Sequence, residues 1–295
     1  MKYFNKFFLA LCVSFAIAAC TGGKAVELQT LTVQEDFASE KLASLNEKLA
    51  AAGMEDFSQA TYTIDFSKKI PVNYKDKIVL ENLRAAYSKH IVNSDEISSE
   101  IAVADYIEEL KQLYGVTIDE DLAYCMEDSE DDFDLANFLM HFHWYSNNID
   151  TVYINNGRLI QFFSYSSDYM GGAHGAVGYK SLLYDLKEDR VVPLNDVFDR
   201  DEDEAITKLL CQEFIDEWCD YDDEDVIIRQ IEEYIWKDDT DFAVEEEGIY
   251  FNYSSYALGV YAFGSPSMLI TYDRLDGMLR PDTPVYDLYL KAVGK

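Results

Sequence analysis

Apolar and polar positions along this chain change rhythm partway through, and the change predicts where helices give way to strands. Phe37, Leu42, Leu45 and Leu49 recur at helical spacing and predict a short helix within residues 25–58. From Thr61 the alternation Tyr62, Ile64, Phe66 predicts a strand ended by Pro71. Ile78, Leu80, Leu83, Tyr87 and Ile91, then Ile101, Tyr106, Ile107, Leu110 and Leu113, predict two helices, with Gly115 as the stop. A dense acidic run follows in 119–134 and reads as a solvated connector.

Beyond the acidic run the period shortens to two. Thr151 to Asn155 and Arg158 to Ser166 flank Asn156-Gly157, a strong hairpin signal, and Ala176 to Leu186 is the next strand. Ala205, Ile206, Leu209, Leu210 and Trp218 mark an amphipathic helix, and Ile227, Ile231, Tyr234 and Ile235 a second. Phe242–Glu246 and Ile249–Tyr253 form a hairpin turning at Glu247-Gly248, and Ser267 to Tyr272 is the last strand. The expected class is α+β: an antiparallel sheet packed with helices, with a smaller N-terminal α+β subdomain. The expected segments are 1–19, a leader; 20–58, a tether and short helix; 59–118, the N-terminal subdomain; 119–144, the acidic connector; and 145–295, the C-terminal domain.

The leader carries an address. Lys2 and Lys6 precede an apolar run from Phe7 to Ile17, too short to span a bilayer. Ile17-Ala18-Ala19-Cys20 fits a lipobox, which predicts cleavage before Cys20 and acylation of its thiol and new amine. Several acyl chains make a stable anchor, at about 0.8 kcal/mol per buried methylene. Thr21-Gly22-Gly23-Lys24 reads as a flexible tether without the acidic run of a surface-export signal, so a periplasm-facing lipoprotein of the bacterial cell envelope is expected.

Charge narrows the partners. The leader holds Lys2 and Lys6 and no acid, so its removal moves the net charge from −32 to −34. A field of that sign argues against nucleic acid, whose phosphates need Lys and Arg, and against docking on anionic lipid beyond the anchor itself. It favours cationic partners. Besides Cys20, the chain beyond the leader holds Cys125, Cys211 and Cys219, an odd set without paired spacing, so free thiols are expected.

Candidate chemistry is sparse. Gly172 to Ser181 does not make a phosphate loop, because Ala173 and Tyr179 break its spacing. No nucleophile elbow, SxxK or HExxH pattern occurs. His174 sits in a glycine-rich turn near Asp168; it is either a base or a residue that fixes the turn, with Gly171 and Gly172 at positive φ. We read it as structural, and no catalytic residue is assigned. His141 and His143 alternate but lack a third ligand. Asp199–Glu204 and Asp220–Asp225 fail the calcium-loop pattern. No metal and no cofactor is therefore expected. Tyr250, Tyr253, Tyr256 and Tyr261 form a candidate binding surface, since Tyr is favoured where one end of a ring is apolar and the other wet.

Several of these motifs occur together. Tyr169-Met170-Gly171-Gly172-Ala173-His174-Gly175, Leu183 to Leu186, Pro193-Leu194-Asn195-Asp196-Val197-Phe198 and Gly248-Ile249-Tyr250-Phe251-Asn252-Tyr253 follow in order, and with Tyr256 to Gly264 they resemble one family. That family is the RsiV/PdaC-like extracytoplasmic domain, shared by lysozyme-sensing anti-sigma factors and by the accessory half of certain peptidoglycan deacetylases. Ser255 departs from it, standing where the family often has a proline. The resemblance implies a non-catalytic binding module, with lysozyme or another cationic protein as its partner. The alternative is wall-glycan binding, or an accessory role in a cell-wall-modifying hydrolase or deacetylase, with a site near His174 and Asp168.

Overall fold

The computed structural model describes residues 12–14, 25–51, 61–127, 141–219 and 224–295. In chain order these form β1 (Cys12–Ser14), β2 (Glu27–Phe37), α1 (Glu40–Ala51), β3 (Tyr62–Asn73), α2 (Lys77–Tyr87) and α3 (Ser99–Glu127). Then come β4 (Trp144–Asn155), β5 (Leu159–Tyr169), β6 (Ala176–Asp185), β7 (Arg190–Val191) and α4 (Leu194–Val197). The remainder is α5 (Asp203–Trp218), α6 (Glu224–Ile231), β8 (Asp241–Val244), β9 (Gly248–Asn252), β10 (Ser267–Thr271) and α7 (Pro284–Ala292). Strands β2 to β7 lie side by side in chain order, and β8 to β10 make a separate three-stranded sheet; β1, which falls within the expected leader, runs along the outer edge of β2 and would be lost on cleavage before Cys20. The class is α+β.

Every pairing is antiparallel except β3 with β4, which run parallel with Tyr62 opposite Trp144 and Ser67 opposite Ile149. A parallel pair needs a crossover, and α2 and α3 supply it. The segments 59–118 and 145–295 thus meet in one sheet. The expected connector also differs: α3 runs through Gly115 to Glu127, so residues 119–127 are helix, and 128–140 lie outside the described residues. A single helical glycine costs only about 1 kcal/mol. Buried Tyr114, Ile118 and Leu122 carry the apolar stripe past Gly115. Strand β3 likewise continues past Pro71, whose missing N–H falls where the register with β2 shifts.

Two cores lie on opposite sides of the large sheet. Ile160 and Phe162 of β5 and Leu182 and Tyr184 of β6 pack with α2 and α3 in the first. Their neighbours Leu159 and Leu183 pack with α5, α6, α7 and the small sheet in the second. Leu159 to Ser164 is buried without a break, the mark of a strand covered on both faces. Gln161 is fully buried and satisfied: its amide donates to the Phe242 carbonyl (2.8 Å) and accepts from Val244 N–H (2.8 Å), fastening β8 to β5.

The first core contains a charge. Lys68 of β3 is 1% exposed, and its ammonium donates to Asn148 (2.5 Å), Asp150 (2.9 Å) and Ser164 (3.0 Å). The other Asp150 oxygen accepts from the Tyr87 hydroxyl (2.5 Å) and from Lys69 N–H (3.1 Å). Burial pushes the Lys68 ammonium below its usual range, and Asp150 beside it pushes back. Burial, reinforced by Asp150, raises the Tyr87 phenol.

The small sheet has its own titrating joint. Asp241 opens β8 and accepts from Ser181 N–H (2.8 Å) and Ser181 Oγ (3.2 Å) on β6. Burial raises this carboxyl to about 6, against the two Ser181 hydrogen bonds and nearby Lys180 that favour its charge. The native state therefore holds a proton that the unfolded chain releases at lower pH, and stability declines as pH rises from about 4 to about 6. Asp241→Asn keeps an acceptor for Ser181 and should stabilise the protein at pH 8 by about 1–2 kcal/mol. Urea titrations at pH 8 and pH 5 check this, and the gain should shrink at the lower pH.

Candidate binding surface

The site begins at the turn between β5 and β6. Gly171 and Gly172 both have φ of +86°, a region that excludes most side chains, and together they reverse the chain. A Cβ on Gly171 would stand 3.2 Å from the Trp144 indole nitrogen. One on Gly175 would stand 2.8 Å from the Asp168 carbonyl and 3.2 Å from the Tyr145 hydroxyl, so the turn lies close against β4 and β5.

His174 projects from this turn to a second loop. Its ring stacks on Tyr261 with centroids 3.6 Å apart and planes at 11°. Its Nε2 is 3.1 Å from the Tyr256 hydroxyl, and Nδ1 is 3.3 Å from the Gly175 carbonyl. The second loop docks on the outer edge of β6: Ser255 N–H donates to the Val177 carbonyl (2.8 Å), Ser255 Oγ accepts from Val177 N–H (2.8 Å), and Ser254 Oγ accepts from Tyr179 N–H (2.9 Å). A proline at 255 has no N–H for that first bond. Tyr256 (52% exposed), Tyr261 (39%) and His174 thus form an exposed aromatic tip.

The four tyrosines expected to share a surface do not. Tyr253 is 3% exposed, and its hydroxyl donates to the Ile235 carbonyl inside the second core. It continues the inward row of Ile249 and Phe251. Tyr250 is half-buried in β9, opposite Ala243 of β8 and Leu269 of β10 rather than in the tip. Only Tyr256 and Tyr261 belong to the tip.

In place of Tyr250 and Tyr253, the sheet itself supplies rings. Helices α2 and α3 cover the face that carries Ile64, Phe66 and Phe162. On the other face, Tyr145 and Ile149 (both 42% exposed) and Tyr153 (40%) recur every four residues along β4. Tyr145 stacks with Tyr169 at 6.2 Å, Tyr153 tilts against Phe163 at 5.6 Å, and Tyr179 meets both Phe163 and Tyr165 at 5.8 Å. Asn147 lies within this band, and its Oδ1 is buried with no hydrogen-bond partner among the described residues. Sequence reasoning missed the band because β4 was expected to start at Thr151. Reading the apolar alternation back to Trp144 exposes it.

Among the described residues, Asp168 and His174 turn to different partners. Asp168 turns to the hydroxyls of Ser146 and Ser166; burial raises its carboxyl, opposed by those two bonds and by Lys68. His174 faces Tyr256 and Tyr261 instead. Asp199 caps the turn before α5 by accepting from Asp201 N–H (3.1 Å), and Asp203 accepts from the Trp236 indole (3.0 Å). Among the described residues, no group of three His, Cys, Asp or Glu is placed to hold a metal ion. Cys211 is a buried free thiol and Cys219 a half-buried one; Cys20 and residues 220–223 lie outside the described residues.

Comparison with known proteins gives the fold a place. No protein-family profile matches the sequence, and no curated protein matches it. A crystal structure of a DUF3298 family member from Bacteroides fragilis superposes with a TM-score of 0.67 at 19% identity, covering 90% of this chain and 98% of that one. A DUF3298 family protein from Pseudomonas aeruginosa superposes with a TM-score of 0.51 at 14% identity, covering 88% and 96%. At these identities the likeness establishes a shared fold.

The tip makes a direct prediction. His174→Ala removes the ring that joins the two loops, so amide exchange over 255–264 should quicken while exchange in β4 and β5 stays the same. The thermodynamic cost should be that of one exposed hydrogen bond, about 0.5–1.5 kcal/mol. Unchanged exchange in 255–264 would mean that His174 does not order the tip.

Proposed function

We propose that this chain is a cell-envelope lipoprotein, acylated at Cys20 and facing the periplasm, whose folded part is a non-catalytic module that binds a cationic protein. The observation that supports this most is the exposed stack of His174, Tyr256 and Tyr261 on a chain of net charge −32. Exposed tyrosine faces attract ammonium and guanidinium groups, and a negative field raises the rate at which such partners arrive. Lysozyme is the first candidate, because the motif resemblance and the sign of the charge point to it together. Wall glycan is a second reading, favoured by the open band of Tyr145, Ile149 and Tyr153 around the buried Asn147 oxygen.

Two measurements test the proposal. Cys20→Ser should release the protein from membranes and abolish palmitate labelling; unchanged fractionation and labelling would contradict the lipoprotein assignment. Lysozyme should bind the immobilised mature domain with an association rate that falls as salt rises, because charges beyond about 8 Å are screened at physiological ionic strength. Cytochrome c serves as the cationic control. Tyr256→Ala with Tyr261→Ala should speed lysozyme dissociation about tenfold, the effect of truncating interface anchors. Equal binding of lysozyme and cytochrome c would reduce the acidity to a nonspecific attraction. No lysozyme binding at low salt would remove the protein-partner reading and leave the glycan.

A further inference from the structure

The large sheet guards one of its outer edges with its own chain and leaves the other to the leader. At β6 the Ser254-Ser255 loop fills the edge, with hydrogen bonds of 2.8 to 2.9 Å to Val177 and Tyr179. At β2 the occupant is β1, paired antiparallel with Cys12 opposite Thr32, Val13 opposite Leu31 and Ser14 opposite Thr30. Cleavage before Cys20 removes that strand. Thr30 and Leu31, 9% and 8% exposed beside β1, then lose its cover. Among the described residues, no other strand pairs with this edge. The mature chain enters β2 from the opposite side, because the Asn155 side chain holds both the N–H and the carbonyl of Val26 (2.9 and 2.8 Å). Asn155 ends β4, beyond β3.

An uncovered β2 is well suited to pairing. Leu28-Gln29-Thr30-Leu31-Thr32-Val33-Gln34 contains no charge, glycine or proline, the devices that keep edge strands from adding a neighbour. Leu31 and Val33 belong to the first core, and Thr30, Thr32 and Gln34 alternate with them on the other face. Charges stand at the margins. Asp36 is exposed, and Asp65 accepts from the Gln34 amide (3.3 Å), whereas Glu35 is already paired with Lys111 (2.6 Å). Toward the other end, Lys69 donates to Thr30 Oγ1 (2.9 Å), and Glu27 is exposed beyond Leu28. The Asp36 margin is therefore acidic, and the Thr30 margin already has a cation beside it.

We propose that removal of the leader turns the outer edge of β2, from Leu28 to Gln34, into a strand-addition site for an extended segment of a partner protein. The inference rests on the lipoprotein reading, since cleavage is what frees the edge. The incoming strand runs antiparallel to β2, as β1 does, and hydrogen-bonds to the outward N–H and carbonyl groups. It sets β-branched apolar residues beside Leu31 and Val33 and hydroxyl residues opposite Thr30 and Thr32. Its N-terminal flank carries a basic residue, which meets Asp36 and Asp65. A second copy of this chain fits the edge poorly. Two-fold pairing centred on Leu31 sets Glu27 against Glu35, and like charges directly opposite are unfavourable.

The test uses the mature lipoprotein in detergent, with loss of residues 1–19 verified by its mass. The probe is the end-capped peptide Lys-Val-Thr-Val-Thr-Val-Thr, followed by fluorescence anisotropy and by amide hydrogen exchange. It should bind and slow exchange several-fold over residues 28–34, with exchange in β9 unchanged. Two further peptides carry N-methyl groups on alternate amides, one form for each edge of the strand. One form should lose binding and the other keep it, because an added strand turns only one of its edges to β2. Asp36→Lys should weaken the parent peptide several-fold and strengthen the peptide with Glu in place of Lys. No binding of the parent peptide, the same affinity for both methylated forms, or unchanged exchange over 28–34 overturns strand addition and leaves the lipoprotein reading intact. Protection of 28–34 without peptide, together with a dimer in sedimentation, gives the edge to a second copy and overturns the partner segment. A protein that still carries residues 1–19 overturns the lipoprotein reading and the proposal together.

Discussion

A lysine buried against an aspartate holds this structure together. Lys68 and Asp150 sit on neighbouring strands that run parallel and come from distant parts of the chain, and both side chains are 1% exposed or less. Taking two charges out of water costs several kcal/mol per ion, and the cost is offset only when the geometry is good and the remaining hydrogen-bonding positions are filled. Here they are filled, by Asn148 and Ser164 on the lysine and by Tyr87 and a backbone N–H on the aspartate. Tyr87 belongs to α2, so the same carboxylate that joins β3 to β4 also seats the helix. Removing one partner leaves an uncompensated charge, which is the costly case.

The seam decides where binding is possible. Because α2 and α3 form the crossover between β3 and β4, they cover the face on which Lys68 lies, and among the described residues the opposite face of β4 leaves Tyr145, Ile149 and Tyr153 exposed. The second core, built from α5, α6, α7 and the small sheet, covers only the far side of β5 and β6. Between that core and the polar outer strands runs the band of Tyr145, Ile149 and Tyr153. At one end of the band the glycine turn and the loop after β9 meet through the His174–Tyr261 stack.

How much of this was legible in the sequence depends on the range of each interaction. Period and turn chemistry are local, so the helices at Ile78–Tyr87 and Ala205–Trp218, the Asn156-Gly157 hairpin and the glycine-histidine turn could be read directly. Long-range pairing could not. Nothing near Lys68 in sequence announces Asp150, eighty-two residues on, so a surface lysine and a core ion pair look alike until the strands are aligned. The acidic run concealed the end of α3, because the buried face of that helix is set by Tyr114, Ile118 and Leu122 rather than by its charged residues. Tyr253 and Tyr256, three positions apart, look equivalent as letters; one ends an inward strand row and the other sits in a turn with φ of +70°.

The central claim is that one buried pair unites both halves of the chain into a single cooperative sheet. A double-mutant cycle on Lys68→Met and Asp150→Leu measures it, followed in urea by tryptophan fluorescence and far-ultraviolet circular dichroism. Each single variant should lose about 3–5 kcal/mol, and the double variant should recover much of that loss, since both charges are then gone. The two probes should trace one coincident transition throughout. Additive losses, or separate transitions for the two cores, would contradict the account.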